Sequence, residues 1–191
     1  MLPKELMKKL EKNLSGKRYY HSLGVAYVSA SLAMCHHADV NKAFTAGLLH
    51  DCSKELSEKE TFAYCEKHGI PLSEKERLNP AVLHGLTGYY YASEEYGISD
   101  EEILTAIRYH VSGCPKMTLL QMIVFIADYI EPGRKLSGEG YDRIREEAFK
   151  NPEKACYLIS EAVLNHLTET KAVIVDDIIH TRDYYKEQAI G

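Results

Sequence analysis

Asp128 stands alone in the apolar run Met122-Ile123-Val124-Phe125-Ile126-Ala127-Asp128-Tyr129-Ile130. A buried carboxylate without a partner is costly, so a folded chain keeps one only where a cation or strong donors meet it. His50 and Asp51 pose the same problem at the end of Ala43-Phe44-Thr45-Ala46-Gly47-Leu48-Leu49. His21 falls in register with Val25, Val28 and Leu32 and points along the apolar side of its segment, while His84 and His110 lie in further apolar helical segments. A lone inward His is more often a hydrogen-bonded core residue than a ligand, but the set of six is different. One ion can satisfy several of these groups at once. Imidazole with carboxylate suits Fe, Mn, Co or Zn rather than Mg or Ca, and the lack of thiolate pairs argues against a structural zinc site.

Helices must position these residues. Apolar residues recur at helical spacing along nearly the whole chain, which predicts an all-α fold with helices over about 3–14, 18–36, 41–52, 57–68, 80–96, 100–111, 118–131, 141–150, 152–171 and 176–189. Asn79-Pro80 and Asn151-Pro152 each offer a cap followed by proline at the first helical position, and Ser99…Glu102 and Thr118…Gln121 have capping-box spacing. Gly16, Gly69 and Gly97 are placed to stop the preceding helices. Ala172-Val173-Ile174-Val175 reads as an extended connection, and residues 132–140 as a flexible loop at the edge of the site.

With 191 residues, one domain is expected, its metal-binding core over about 18–134 and C-terminal helices over about 140–190. The net charge of -5 argues against coating a nucleic-acid polymer. Five cysteines, with no Cys-x-x-Cys among them, fit reduced thiols in a cytoplasm, and Cys52 reads as a buried thiol rather than a ligand. The first residues mix charges and lack the apolar stretch of a signal peptide, and no segment is long and apolar enough to span a bilayer. The expected compartment is the cytoplasm, with no membrane partner.

The segments Tyr20-His21-Ser22-Leu23-Gly24-Val25-Ala26, Leu48-Leu49-His50-Asp51-Cys52-Ser53-Lys54-Glu55, Leu83-His84-Gly85, Ile107-Arg108-Tyr109-His110 and Ala127-Asp128-Tyr129-Ile130-Glu131-Pro132-Gly133-Arg134 together resemble the HD superfamily of metal-dependent phosphohydrolases, and within it the bacterial YqeK family of symmetrical diadenosine tetraphosphate hydrolases. The resemblance covers about residues 18 to 134. It implies an HD-type helical bundle with a C-terminal helical extension and an iron site, of one or two ions, held by His21, His50, Asp51 and Asp128; Mn, Co or Zn are alternatives. Asp51, Lys54 and Asp128 become the catalytic candidates. His84 and His110 either hold a second ion or contact phosphate. Where the family has His-Thr-Thr-Gly this chain has His110-Val111-Ser112-Gly113, which keeps the imidazole and removes the hydroxyl at Val111 from the substrate wall.

Such a centre activates water and polarises a phosphoryl oxygen, so what the protein must add is charge against a polyphosphate. Arg18, three residues before His21, Lys54, three after Asp51, and Arg134, just past the Asp128 helix, can reach the rim. The implied ligand is a dinucleoside polyphosphate or nucleoside diphosphate, and the implied reaction gives two ADP. Tyr89-Tyr90-Tyr91 and Tyr184-Tyr185 read as packing rather than base-stacking residues, and His36, His37, His68, His166 and His180 as surface or cap residues. Two other readings compete: an HD phosphodiesterase or nucleotidase acting on cyclic dinucleotides or deoxynucleotides, and a non-catalytic nucleotide-sensing module. A homodimer is left open. The chain lacks the Glu-x-x-His motifs of a di-iron carboxylate bundle and the His-Glu-x-x-His of a zincin.

Overall fold

A computed structural model describes residues 4–190. Eleven α-helices and one short 3-10 helix follow one another: α1 Lys4–Asn13, α2 Gly16–Cys35, α3 Val40–Leu49, α4 Glu58–Lys67, α5 Glu74–Leu78, the 3-10 turn Pro80–Leu83, α6 His84–Tyr96, α7 Glu101–Tyr109, α8 Leu119–Ile130, α9 Glu139–Ala148, α10 Pro152–Glu169 and α11 Asp176–Ile190. No strand occurs among the described residues, and none of their helices is long and apolar enough to cross a membrane.

The hydrophobicity of α8 explains the centre of the fold. Residues Leu120 to Ala127 are all buried, and a helix apolar on every side must be surrounded. α8 packs against α2, α3, α7 and α10, and α2 lies along α3 as α6 lies along α7. The carboxyl-terminal pair α10 and α11 closes the other side, where the buried Tyr185 accepts a 2.8 Å hydrogen bond from the backbone N–H of Met117. The core cluster runs from Leu10 to Tyr185.

Two glycines set the helix spacing. A Cβ on Gly47 of α3 would lie 2.6 Å from Ser29 Oγ and 3.0 Å from the Ala26 Cα and Val25 carbonyl of α2. One on Gly85 of α6 would lie 2.6 Å from the Arg108 carbonyl of α7. Their absent side chains let α2 meet α3, and α6 meet α7, at nearly backbone distance.

Several expectations are corrected. The helix expected over 41–52 ends at Leu49, leaving His50 as its cap and Asp51 in the following turn, and the helix expected over 100–111 ends at Tyr109. The segment 80–96 is not one helix, because Pro80 opens a separate 3-10 turn and Asn79 makes no side-chain cap. Asp100 rather than Ser99 caps α7, accepting from the N–H groups of Glu102 and Ile103. Gly16 begins α2 instead of ending α1. α5 escaped the periodicity because none of its residues is buried, although the capping box of Ser73 and Glu76 marks it. The boxes at Thr118 and the Asn151 cap form as expected, and Gly97 ends α6 in the left-handed conformation.

Candidate metal centre

The helix ends carry the candidate ligands. His50 caps α3, His110 caps α7, His84 follows the 3-10 turn as the first residue of α6, and Asp128 sits in the last turn of α8. Only His21 lies inside a long helix, α2. At a helix carboxyl terminus the last carbonyls have no partner in the ladder, and three imidazoles use them. The Nδ1–H groups of His50, His84 and His110 donate to the carbonyls of Gly47, Ala81 and Ile107, three residues earlier in each case, at 2.7, 2.7 and 2.6 Å. For His50 and His110 that favours the tautomer with hydrogen on Nδ1 and turns Nε2 inward, as in metal-ligating histidines, whereas the His84 ring also has Lys54 Nζ within hydrogen-bonding distance.

The inward atoms converge. His50 Nε2 is 3.3 Å from His21 Nε2, and His84 Nε2 is 3.1 Å from His110 Nε2. Asp128 Oδ1 lies 2.9 Å from His21 Nε2 and 3.6 Å from His50 Nε2. Asp51 reaches both pairs: its Oδ2 is 3.8 Å from His50 Nε2, and its Oδ1 is 3.2 Å from His84 Nε2 and 3.7 Å from His110 Nε2. Among the described residues three overlapping triads each have their ligand atoms within 4.8 Å of one another: His21–His50–Asp51, His50–His110–Asp128 and Asp51–His84–His110.

Electrostatics suit a cation. Burial pushes His50 down to about 4, against the pull of Asp51 and Asp128, and His84 likewise to about 4, so both are neutral donors near pH 7. Burial opposes the charge on Asp51, but His50, His110 and His84 outweigh it and hold the carboxyl well below the usual range. Asp128 is depressed in the same way, burial being overcome by the His21 hydrogen bond, His50 and Arg134. The Nε2 atoms of these imidazoles and the two ionised carboxylates lie close enough together for a single divalent cation to satisfy several of them at once. The donor set therefore fits a transition-metal ion. Cys52 takes no part: its thiol faces the Gly88 carbonyl and burial pushes its pKa up.

The cluster floors an open cleft of about 770 Å³. Arg18, Lys54, Val111 and Arg134, all expected at the substrate, line it with His21, Asp51, His84 and Asp128. Arg18 donates to Asp51 Oδ2 at 2.7 Å, Arg134 pairs with Asp128 and donates from Nε to its backbone carbonyl at 2.9 Å, and Lys54 Nζ lies 2.8 Å from His84 Nδ1 and 3.0 Å from its Nε2. Every residue read from the sequence as a site candidate is thus in the cage or on its wall. Others escaped that reading: Lys17, Lys135, Glu131 and Tyr20, the last 73% exposed at the rim. Lys17 and Lys135 look like ordinary surface charges in sequence, and Tyr20 like one more of 14 tyrosines. Tyr89-Tyr90-Tyr91 and Tyr184-Tyr185 do not line the cleft, nor does Val175, which borders a separate small hollow with Arg108 and Asp177.

A family model described as the HD domain matches residues 18–133, the stretch that carries the whole cage. The chain belongs to the HD family. This HD chain is 35% identical over 184 residues to a Staphylococcus aureus protein named symmetrical bis(5'-nucleosyl)-tetraphosphatase, covering 95% of this chain and 93% of that one. A Bacillus subtilis protein of the same name is 37% identical over 139 residues, 73% of each chain. The crystal structure of a Clostridium acetobutylicum protein described as a predicted HD superfamily hydrolase involved in NAD metabolism superposes with a TM-score of 0.91 at 36% identity over 97% of both chains. An HD domain with this His/Asp cluster implies a divalent metal.

Proposed function

We infer that this HD chain is a symmetrical dinucleoside tetraphosphatase that splits diadenosine tetraphosphate between its central phosphates into two ADP. The observation that carries the reading is the union of a His and Asp cage with a cation-rimmed cleft: Lys17, Arg18, Lys54, Arg134 and Lys135 gather there in a chain of net charge -5. A nucleotide polyphosphate matches both halves of that site, and the names of the Staphylococcus and Bacillus relatives support the same activity.

His21, His50, Asp51 and Asp128 would hold the metal, and Asp51, His84 and His110 would hold a second ion with Asp51 shared; we take iron as the resident metal, with Mn, Co or Zn as substitutes. A bound divalent cation supplies Lewis acidity toward a phosphoryl oxygen and toward water. The chain supplies the rest. Asp51 and Asp128 stay ionised at neutral pH. Arg18 and Arg134 are anchored on those carboxylates with their guanidinium groups on the cleft wall, where they can share donors with incoming phosphates. Lys54 sets its ammonium beside His84 and balances the charge that builds on the departing ADP. The helical extension over about 140–190 belongs to the same domain in this reading, since α10 packs on α8. A cytoplasmic location and a homodimer accord with it.

Elemental analysis combined with product chromatography, on the parent chain and on Asp51→Ala, tests the proposal. Asp51 belongs to two of the three triads, so the variant should lose metal and turnover together. A metal-free Asp51→Ala protein with full activity would overturn it, and turnover of cyclic dinucleotides alone would favour the phosphodiesterase reading.

A further inference from the structure

We propose that Glu131 is a positioning residue of the metal centre, gripping the His21 imidazole by Nδ1 so that Nε2 is delivered to the cage; the proposal rests on the metal-dependent reading above. Three of the four cage imidazoles are oriented by free carbonyls at the ends of helical segments. His21 has no such option. It is in the interior of α2, Gly16–Cys35, where the neighbouring carbonyls are engaged in the helical ladder, so its acceptor must come from another element.

Glu131 is that acceptor. It caps α8 one turn after Asp128 and is only 4% exposed. Its Oε1 accepts from His21 Nδ1 at 2.9 Å, while Asp128 Oδ1 stands 2.9 Å from Nε2 of the same ring. The last turn of α8 therefore clamps the imidazole at both nitrogens. A buried carboxylate needs a donor for each oxygen, and Oε2 receives the backbone N–H of Gly133 at 2.6 Å.

The seat is cut to fit this side chain. A Cβ on Gly24, one turn along α2 from His21, would lie 2.6 Å from Glu131 Oε2, and one on Gly133 would lie 2.9 Å from it. Neither glycine is needed there by a positive φ. Their lack of a side chain is what leaves room for the carboxylate. Glu131 belongs to none of the three triads, and its contact with the cage is the hydrogen bond to His21.

The test uses the full chain with Co2+ as the probe metal. Its dissociation constant is measured by competition against a chromophoric chelator for the parent, Glu131→Ala, Glu131→Gln and Gly24→Ala, together with the melting of each chelated protein. Loss of an outer partner of a ligating histidine weakens metal binding by about 10–100-fold, which is expected for Glu131→Ala. Glu131→Gln, whose amide oxygen can still accept from Nδ1–H although its NH2 then faces the Gly133 N–H, should recover part of the affinity lost in Glu131→Ala. Gly24→Ala, which leaves the carboxylate in the chain but crowds its seat, should weaken binding and keeps the test open if Glu131→Ala does not fold. Cobalt affinity within about 2-fold of the parent in both Glu131→Ala and Gly24→Ala, or a lowered melting point with unchanged affinity, overturns the positioning role. A parent chain that takes up no cobalt overturns instead the metal-dependent reading on which the role rests.

Discussion

Acid should destabilise the metal-free protein through the buried histidines of the cage. His50 and His84 are pushed down to about 4 by burial, whereas an unfolded chain titrates them near 6.5. Between those values the unfolded state binds more protons than the folded one, so stability falls as the pH drops through 6.5 and the decline levels off below about 4. Integrating that linkage gives a loss of about 2 kcal/mol for each imidazole between about pH 7 and pH 5. His21 has the opposite sign. Burial lowers its pKa, but Asp128 and Glu131 raise it further, so its contribution is present below about 6.5 and lost as the pH rises through its raised value. It trims the decline near neutrality and adds no slope lower down. Asp51 and Asp128 are depressed, so their contribution is lost only below the usual carboxylate range, outside this window. Urea unfolding of the chelated protein, repeated across the range, measures the slope. His84→Asn should cut the loss by about 2 kcal/mol, close to half. A flat profile, or one that His84→Asn leaves unchanged, would refute the claim that these rings are buried and neutral.

Three further outcomes follow from the geometry. Gly47→Ala should lower stability by about 1–3 kcal/mol despite the better helix propensity of alanine, because its Cβ meets α2 backbone at 3.0 Å; urea unfolding checks it, and a stabilised variant would show that α2 and α3 can yield. Lys54→Ala should keep its metal and lose about 100-fold in kcat, read by steady-state kinetics beside elemental analysis, and an unchanged kcat would remove Lys54 from the phosphate wall. Chelation should abolish turnover, and Fe2+, Mn2+ or Co2+ should restore it; activity that survives exhaustive chelation contradicts the cage as the seat of the chemistry.

Much of the site was legible because burial and charge conflict openly in the sequence. Asp128 in its apolar run and His50-Asp51 behind theirs could not be explained as core, and that conflict marks the cage without any structure. Periodicity could not tell where the hydrogen-bond ladder ends. It carried the helices through His50 and His110, whereas α3 and α7 stop at Leu49 and Tyr109, and the side-chain Nδ1–H groups then serve the freed carbonyls. Glu131 was hidden for a different reason. Beside Pro132 at a helix end it reads as a solvated charge, and its burial depends on Gly24 of α2, more than a hundred residues away in the chain. A signal was present in two i,i+3 pairs, His21 with Gly24 and Asp128 with Glu131, but it has meaning only once α2 is known to pack on α8. Lys17, Lys135 and Tyr20 carried none, since exposed charges and a tyrosine have the same pattern at a substrate wall as anywhere on the surface.

The most direct test of the central claim is product analysis of diadenosine tetraphosphate turned over by the metal-loaded chain. A cage that opens the central phosphoanhydride predicts ADP alone, two for each substrate consumed. ATP with AMP in equal amounts, or no cleavage by fully loaded protein, would contradict it.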